Sequence, residues 1–165
     1  RALAQALLRR RAVTRWVAVP VSAGLLADVG AYYQALEEYR LGDPEPIVAR
    51  FAEASLRAAQ NARQLVAEID SVRTGWRERV RARSDSGAWR VLEVVARSPV
   101  VDAALVAAEL GIRPQNTYPL LQELTNQGVL KAKAEHRHGT VWRSEEILAA
   151  IDRFAERAGR RGFAG

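Results

Sequence analysis

Apolar residues recur at steps of three or four along most of this chain, and the longest such run begins near Pro46. Ile47, Phe51, Ala54, Ala58, Ala62, Leu65, Ile69, Val72, Trp76 and Val80 form one stripe, which is the period of an amphipathic helix. No proline interrupts the run, and Gly75 is the only glycine within it. The pattern predicts a continuous helix of about 35 residues, some 50 Å long at the helical rise. Such a length suits a helix that leaves one core and joins or pairs with another. The alternative is a pair of helices broken near Gly75, where glycine carries a helix penalty.

The pattern before this run is shorter and more interrupted. Arg1 to Arg11 reads as the end of a helix, with Leu3, Leu7 and Leu8 on one face and a basic last turn that suits the helix dipole. Val13 to Val21 is β-branched and aromatic, but Pro20 and the helical flanks make it an extended connector. Ser22 is expected to cap a short helix holding Leu25 and Leu26. A further amphipathic helix is expected from about Ala31 to Arg40, with Tyr32, Leu36 and Tyr39 at helical spacing, ended by Gly42-Asp43-Pro44.

After the long run the order changes. Ser84-Asp85-Ser86-Gly87 is a polar break and the expected domain boundary. Ala88 to Ala96 reads as a helix stopped by Ser98-Pro99. Asp102 is placed to cap a second helix through Leu110, and Gly111 to supply a left-handed C-terminal turn. A third helix ends at Gln127-Gly128. Val129 to Ala134 and Thr140 to Arg143 are strand candidates around a hairpin tip, Glu135-His136-Arg137-His138-Gly139. Ser144, Glu145 and Glu146 open a final helix to about Arg157, and Gly162 to Gly165 form a frayed end. Three short helices followed by a hairpin are the plan of a winged helix-turn-helix. In that plan small Ala107 and Ala108 allow close packing, Gly111 makes the turn, and Ile112, Leu121 and Leu124 fill the core. The fold class is therefore mainly α, with segments 1–45 (helices of a first core), 46–83 (a long connecting helix) and 84–165 (the winged helix-turn-helix with its C-terminal helix).

Composition changes this picture in a few places. Of 165 residues, 48% are hydrophobic and 27% charged, as in ordinary globular protein. No apolar run approaches the ~20 residues of a membrane span, and Arg9, Arg10 and Arg11 follow the first apolar stretch, unlike a signal peptide. The chain has no cysteine, which excludes disulfides and thiolate chemistry and suits a cytoplasmic location. Its net charge of +6 is unevenly placed: residues 1–83 hold 14 Arg against 9 acids, residues 84–165 hold 11 Lys plus Arg against 10 acids. The start on Arg1, without Met, leads to the expectation of a fragment.

If the winged helix binds DNA, the start of its third helix faces the major groove. Arg113, Gln115, Asn116, Thr117 and Gln122 are the candidates there, since Arg, Gln and Asn can make bidentate contacts to base edges. Lys131, Lys133, His136, Arg137 and His138 would set the wing on phosphates. Glu123 and Glu135 lie in the same region, and residues 86–143 carry 7 cations against 5 acids, a modest excess for a DNA-binding module. Pro119 is tolerable only in a helix's first turn, so the helix should start near Asn116 or Thr117. His136 and His138 lack a third ligand nearby, and no metal site is assigned. No phosphate loop, paired-carboxylate motif or catalytic triad order is present.

Residues 1–83 resemble the segment C-terminal to the signature motif of Fic (filamentation induced by cyclic AMP) proteins. The resemblance rests on Ala2-Leu3-Ala4-Gln5-Ala6-Leu7-Leu8, on Val19-Pro20-Val21-Ser22-Ala23-Gly24-Leu25, and on Tyr32, Tyr33 and Leu36, in that order. Many bacterial members continue into a long helix and a C-terminal winged helix, so the resemblance spans essentially the whole chain and makes 1–45 the C-terminal helices of a Fic core. It implies a parent protein that transfers AMP from ATP, with Mg²⁺, to a hydroxyl of a target protein. The motif itself, His-x-Phe-x-Asp/Glu-Gly-Asn-Gly-Arg-x-x-Arg, is absent except that Arg1 matches its last position, which in the family contacts nucleotide phosphate. The chain itself is therefore expected to need no cofactor and to have no transferase activity. Expected partners are DNA through the winged helix, a protein partner, or a second copy of the chain, and no membrane. The alternative is an intact small winged-helix transcriptional regulator with a helical dimerisation or ligand domain.

Overall fold

The computed structural model describes residues 6, 10, 11, 21–26, 28–135 and 139–158. Expectations for Arg1, for the helix over 1–11 as a whole, for Val13 to Pro20, for His136, Arg137 and His138, and for 162–165 lie outside these residues. The described chain is mainly helical with a small three-stranded antiparallel sheet. It divides into two compact units, one of residues 1–66 with 152–165 and one of residues 67–151. No helix among the described residues is long and apolar enough to cross a membrane.

In the first unit, α1 (Val21–Leu26) and α2 (Val29–Arg40) precede the start of α3 (Glu45–Arg79). Ser22 lies inside α1 instead of capping it. The cap on α2 is Asp28, whose carboxylate accepts the Ala31 N–H at 3.0 Å. The buried residue of α2 is Ala35, whereas Tyr39, expected inward, is 55% exposed. Tyr32 meets Phe51 of α3 edge to face. Ala54 and Ala58 on α3 are buried, so the helices of this unit close on small side chains. Asn61 of α3 donates to the Phe154 carbonyl at 3.0 Å and accepts from Arg157 at 2.6 Å.

α3 is a single helix of 35 residues that continues through Gly75. A glycine there forfeits about 1 kcal/mol against alanine, less than the burial of the neighbouring Trp76, which is 1% exposed, supplies. Trp76 and Val80 pack into the core of the second unit. The polar residues Ser84–Ser86 lie within that unit, in the link between α3 and the next helix, where the Ser86 hydroxyl caps α4 (Gly87–Arg97) by accepting the Ala88 N–H at 3.2 Å.

A short strand, β1 (Val100–Asp102), follows α4 and was not expected from the sequence. Asp102 then caps α5 (Ala103–Leu110), accepting the Leu105 N–H at 2.7 Å. Gly111 has φ 68° and ψ 34°, a left-handed conformation costly for residues with a Cβ. It lets Ile112 N–H return to the Ala107 carbonyl at 3.1 Å, which closes the helix end. Ala107 is buried as expected, but Ala108 faces outward. A 3-10 turn (Pro114–Asn116) leads into α6 (Thr117–Asn126), placing Pro119 in the first turn, where no intrahelical N–H bond is lost. Leu121 and Leu124 are fully buried, and Ile112 is packed at the core's margin.

Gly128, with φ 71°, ends α6 and turns Val129 and Leu130 inward. β2 (Lys131–Glu135) and β3 (Gly139–Arg143) pair antiparallel, and β1 pairs with the other edge of β3, giving the order β1-β3-β2. Val101, Trp142 and Ala132 share a face by register, and Val101 and Trp142 are buried. Lys131, Lys133, Val141 and Arg143 lie on the opposite face. α7 (Glu145–Arg157) is capped by the buried Ser144 hydroxyl, which accepts the Ile147 N–H at 3.3 Å. At its start Glu146 accepts both the Trp76 indole N–H at 2.8 Å and the Arg79 guanidinium at 2.7 Å.

Candidate nucleic-acid interface

The exposed side of α6 is set by which of its residues the core takes. Thr117, Leu121 and Leu124 point inward, which leaves Tyr118, Gln122 and Asn126, spaced by four, along one outer face. Tyr118 is 51% exposed, and its ring stands edge to face against Trp142 of β3 at 5.8 Å between centroids. Gln122 is exposed and donates to the Asn126 side-chain oxygen at 2.9 Å. Each amide keeps further donor and acceptor capacity open to solvent.

Arg113, Gln115 and Asn116 are all exposed at the entry to α6, held there by the left-handed turn at Gly111 and the 3-10 turn after it. No ion pair or side-chain hydrogen bond engages Arg113 among the described residues. Thr117, by contrast with its expected place on the DNA-facing surface, is 0% exposed, and its hydroxyl donates to the Pro114 carbonyl at 2.7 Å. It fixes the turn and cannot touch a nucleic acid. Glu123 accepts from Gln127 at 3.3 Å and lines a groove with Arg81, Arg83 and Ser86. Five residues from Tyr118, it sits about 140° around the helix, away from the face that Gln122 occupies.

On the hairpin, Lys133 is exposed and carries no ion pair among the described residues. Lys131, expected to be free for phosphate, is instead paired with Glu145, which also accepts from Arg143 at 3.0 Å. The Lys131 hydrogen bond is the chief cause that holds the Glu145 carboxyl below its ordinary value of 4.5; Arg143 adds to it, and partial desolvation opposes it. The ion pair therefore acts fully above the ordinary value and is lost as pH falls through the lowered one. Lys131→Ala is expected to move the Glu145 titration upward, as followed by carbon NMR of its carboxylate; an unmoved midpoint would assign the lowering to Arg143. His136, Arg137 and His138 lie outside the described residues, as does Arg1.

Tyr118 and Asn126 were not singled out by sequence reasoning. The signal available was their spacing of four from Gln122, once the helix start is fixed at Thr117. Trp142 on β3 is 4% exposed, and its indole N–H has no acceptor among the described residues. The described residues contain no cluster of three or more His, Cys, Asp or Glu suited to a metal ion.

The arrangement thus offers uncharged amides and a phenol on one helix face, with Arg113 and Lys133 beside them, neither in an ion pair among the described residues. No protein-family model matches the chain, and no curated protein is similar to it.

Proposed function

We propose that residues 67–151 are a winged helix-turn-helix that binds duplex DNA, with α6 as the helix presented to the major groove and β2–β3 as the wing. The reading is carried by one observation: Arg113, without an ion pair among the described residues, stands with Gln115 and Asn116 at the entry of a helix whose outer face holds Gln122 and Asn126. These side chains are the types that read guanine and adenine edges. The order of α4, β1, α5, α6 and the β2–β3 hairpin supports it, as docking of such a helix requires. We further propose that the chain is the C-terminal regulatory segment of a Fic-type protein, whose AMP-transferring site, with ATP and Mg²⁺, belongs to residues not in this chain. On that reading the segment has no transferase activity of its own, and coding sequence for the signature motif directly upstream of Arg1 distinguishes it from a small free-standing regulator.

Fluorescence anisotropy with duplex DNA, at low and moderate salt, tests the binding. With few free cations, log K is expected to fall with log salt at a slope of roughly −2 to −3, near one per phosphate neutralised. Arg113→Ala should weaken binding about tenfold, the lower range for loss of a base-edge contact. Absence of binding at both salt concentrations, with the protein folded, rejects the DNA reading. A protein partner is the second reading, favoured by the lack of any Lys or Arg on α6 itself.

A further inference from the structure

The end of α3 and the first two turns of α4 enclose a groove of about 320 Å³ lined by Arg73, Trp76, Arg77, Trp89, Arg90 and Glu93, with Leu92. All of these residues belong to the unit 67–151, and none lies on the exposed face of α6. Arg73 is neutralised within the groove, since its guanidinium donates to both oxygens of Glu93 at 2.6 and 2.7 Å. Arg77 and Arg90 have no carboxylate partner among the described residues. Arg90 gives one N–H to the Leu110 carbonyl at 2.8 Å and keeps others free. Arg77 and Arg90 thus give the lining an excess of positive charge among the described residues, which an anion relieves.

The remaining surface is aromatic. The Trp89 N–H is spent on the Arg83 carbonyl at 3.0 Å and the Trp76 N–H on Glu146, so neither indole N–H is left for a ligand. Trp76, 1% exposed, contributes little area, and half-buried Trp89 contributes more. Indole and guanidinium faces both prefer a flat π-system, and the volume is at the lower end for small-molecule sites. The geometry points to a binding site for a planar aromatic carboxylate, its ring against Trp89 and its carboxylate on Arg77 and Arg90.

The bond from Arg90 to Leu110 ties this site to the turn at Gly111 that sets Arg113, so a ligand there is expected to raise hydrogen-exchange protection over residues 111–117. This site does not depend on the DNA reading, and its test uses no nucleic acid. Calorimetric titration of the full chain with 2-naphthoate should give a dissociation constant of about 1 mM or tighter, from the efficiency of a ligand of this size. Arg77→Gln, at an exposed position, should weaken it about tenfold, as for loss of a charged hydrogen bond. Arg77→Lys should keep part of the affinity. Neutral 2-naphthamide should bind more weakly and be indifferent to Arg77→Gln, and inorganic phosphate should bind more weakly than naphthoate. No heat with naphthoate into the millimolar range, equal binding by Arg77→Gln, or phosphate binding as tight as naphthoate would each overturn the assignment.

Discussion

Gly24→Ala is expected to destabilise the first unit by about 3 kcal/mol or more, the upper end for forcing an atom into a packed interface. A Cβ built on Gly24 falls 2.1 Å from the Ala54 carbonyl oxygen and 2.7 and 2.8 Å from its C and Cα. All three atoms are backbone, so no side chain can rotate out of the way. α1 would have to move off α3 by more than an ångström, undoing the burial of Val21 and Ala54. Gly30, by contrast, has only the Asp28 side-chain oxygen near such an atom, at 3.9 Å. Gly30→Ala should stabilise by about 0.5–1 kcal/mol through reduced freedom of the unfolded chain. Hydrogen exchange of amides in α1 and along 45–66 reads both. Equal effects from the two substitutions would show that α1 does not rest on α3 in solution.

That contact gives physical meaning to one position of the sequence stretch over 19–25. The residues showed that glycine stands there, but its close approach to Ala54, thirty positions on, was not readable locally. The same distinction separates the rest of what was legible from what was not. The long α3, the Asp102 and Ser144 caps, the turn at Gly111 and the place of Pro119 in its helix's first turn all depend on local backbone rules, and the sequence carried them. β1 was missed because its three residues, behind Pro99, make a strand only by pairing with Val141–Arg143, some forty residues away. Thr117 looked like a surface hydroxyl because nothing local announces that the packing of α6 buries it against Pro114. Lys131 looked free because Glu145 reaches it only once β3 has brought the start of α7 alongside β2. Tyr118 belongs to the outer face for a reason visible only after Leu121 and Leu124 are known to point inward. The stripe on α3 likewise carries no mark at the position where its residues begin to serve the second unit rather than the first.

Trp76 is the residue that commits the last turns of α3 to that second unit, and Trp76→Ala is expected to destabilise it by about 3–5 kcal/mol. The indole is 1% exposed and is the largest fully buried side chain among the described residues, in one cluster with Val80, Val91, Val95 and Ile147. Truncation removes that apolar burial and leaves a cavity that helices fixed by their own caps can close only in part. The lost hydrogen bond matters less. Glu146 keeps both contacts from Arg79, at 2.7 and 2.8 Å, and its side chain is 40% exposed, so no buried acceptor is stranded. Trp76→Phe, which retains most of the volume, separates these effects and should lose roughly 1–2 kcal/mol. A chain of two compact units need not unfold in one step, so the measurement is residue-resolved hydrogen exchange in α4 and α6, compared with α2. Protection should fall sharply in α4 and α6 while α2 changes little. A loss below about 1 kcal/mol in Trp76→Ala, well under the range for a buried aromatic, would mean that the cap and turn residues of 84–151 hold this unit together without α3.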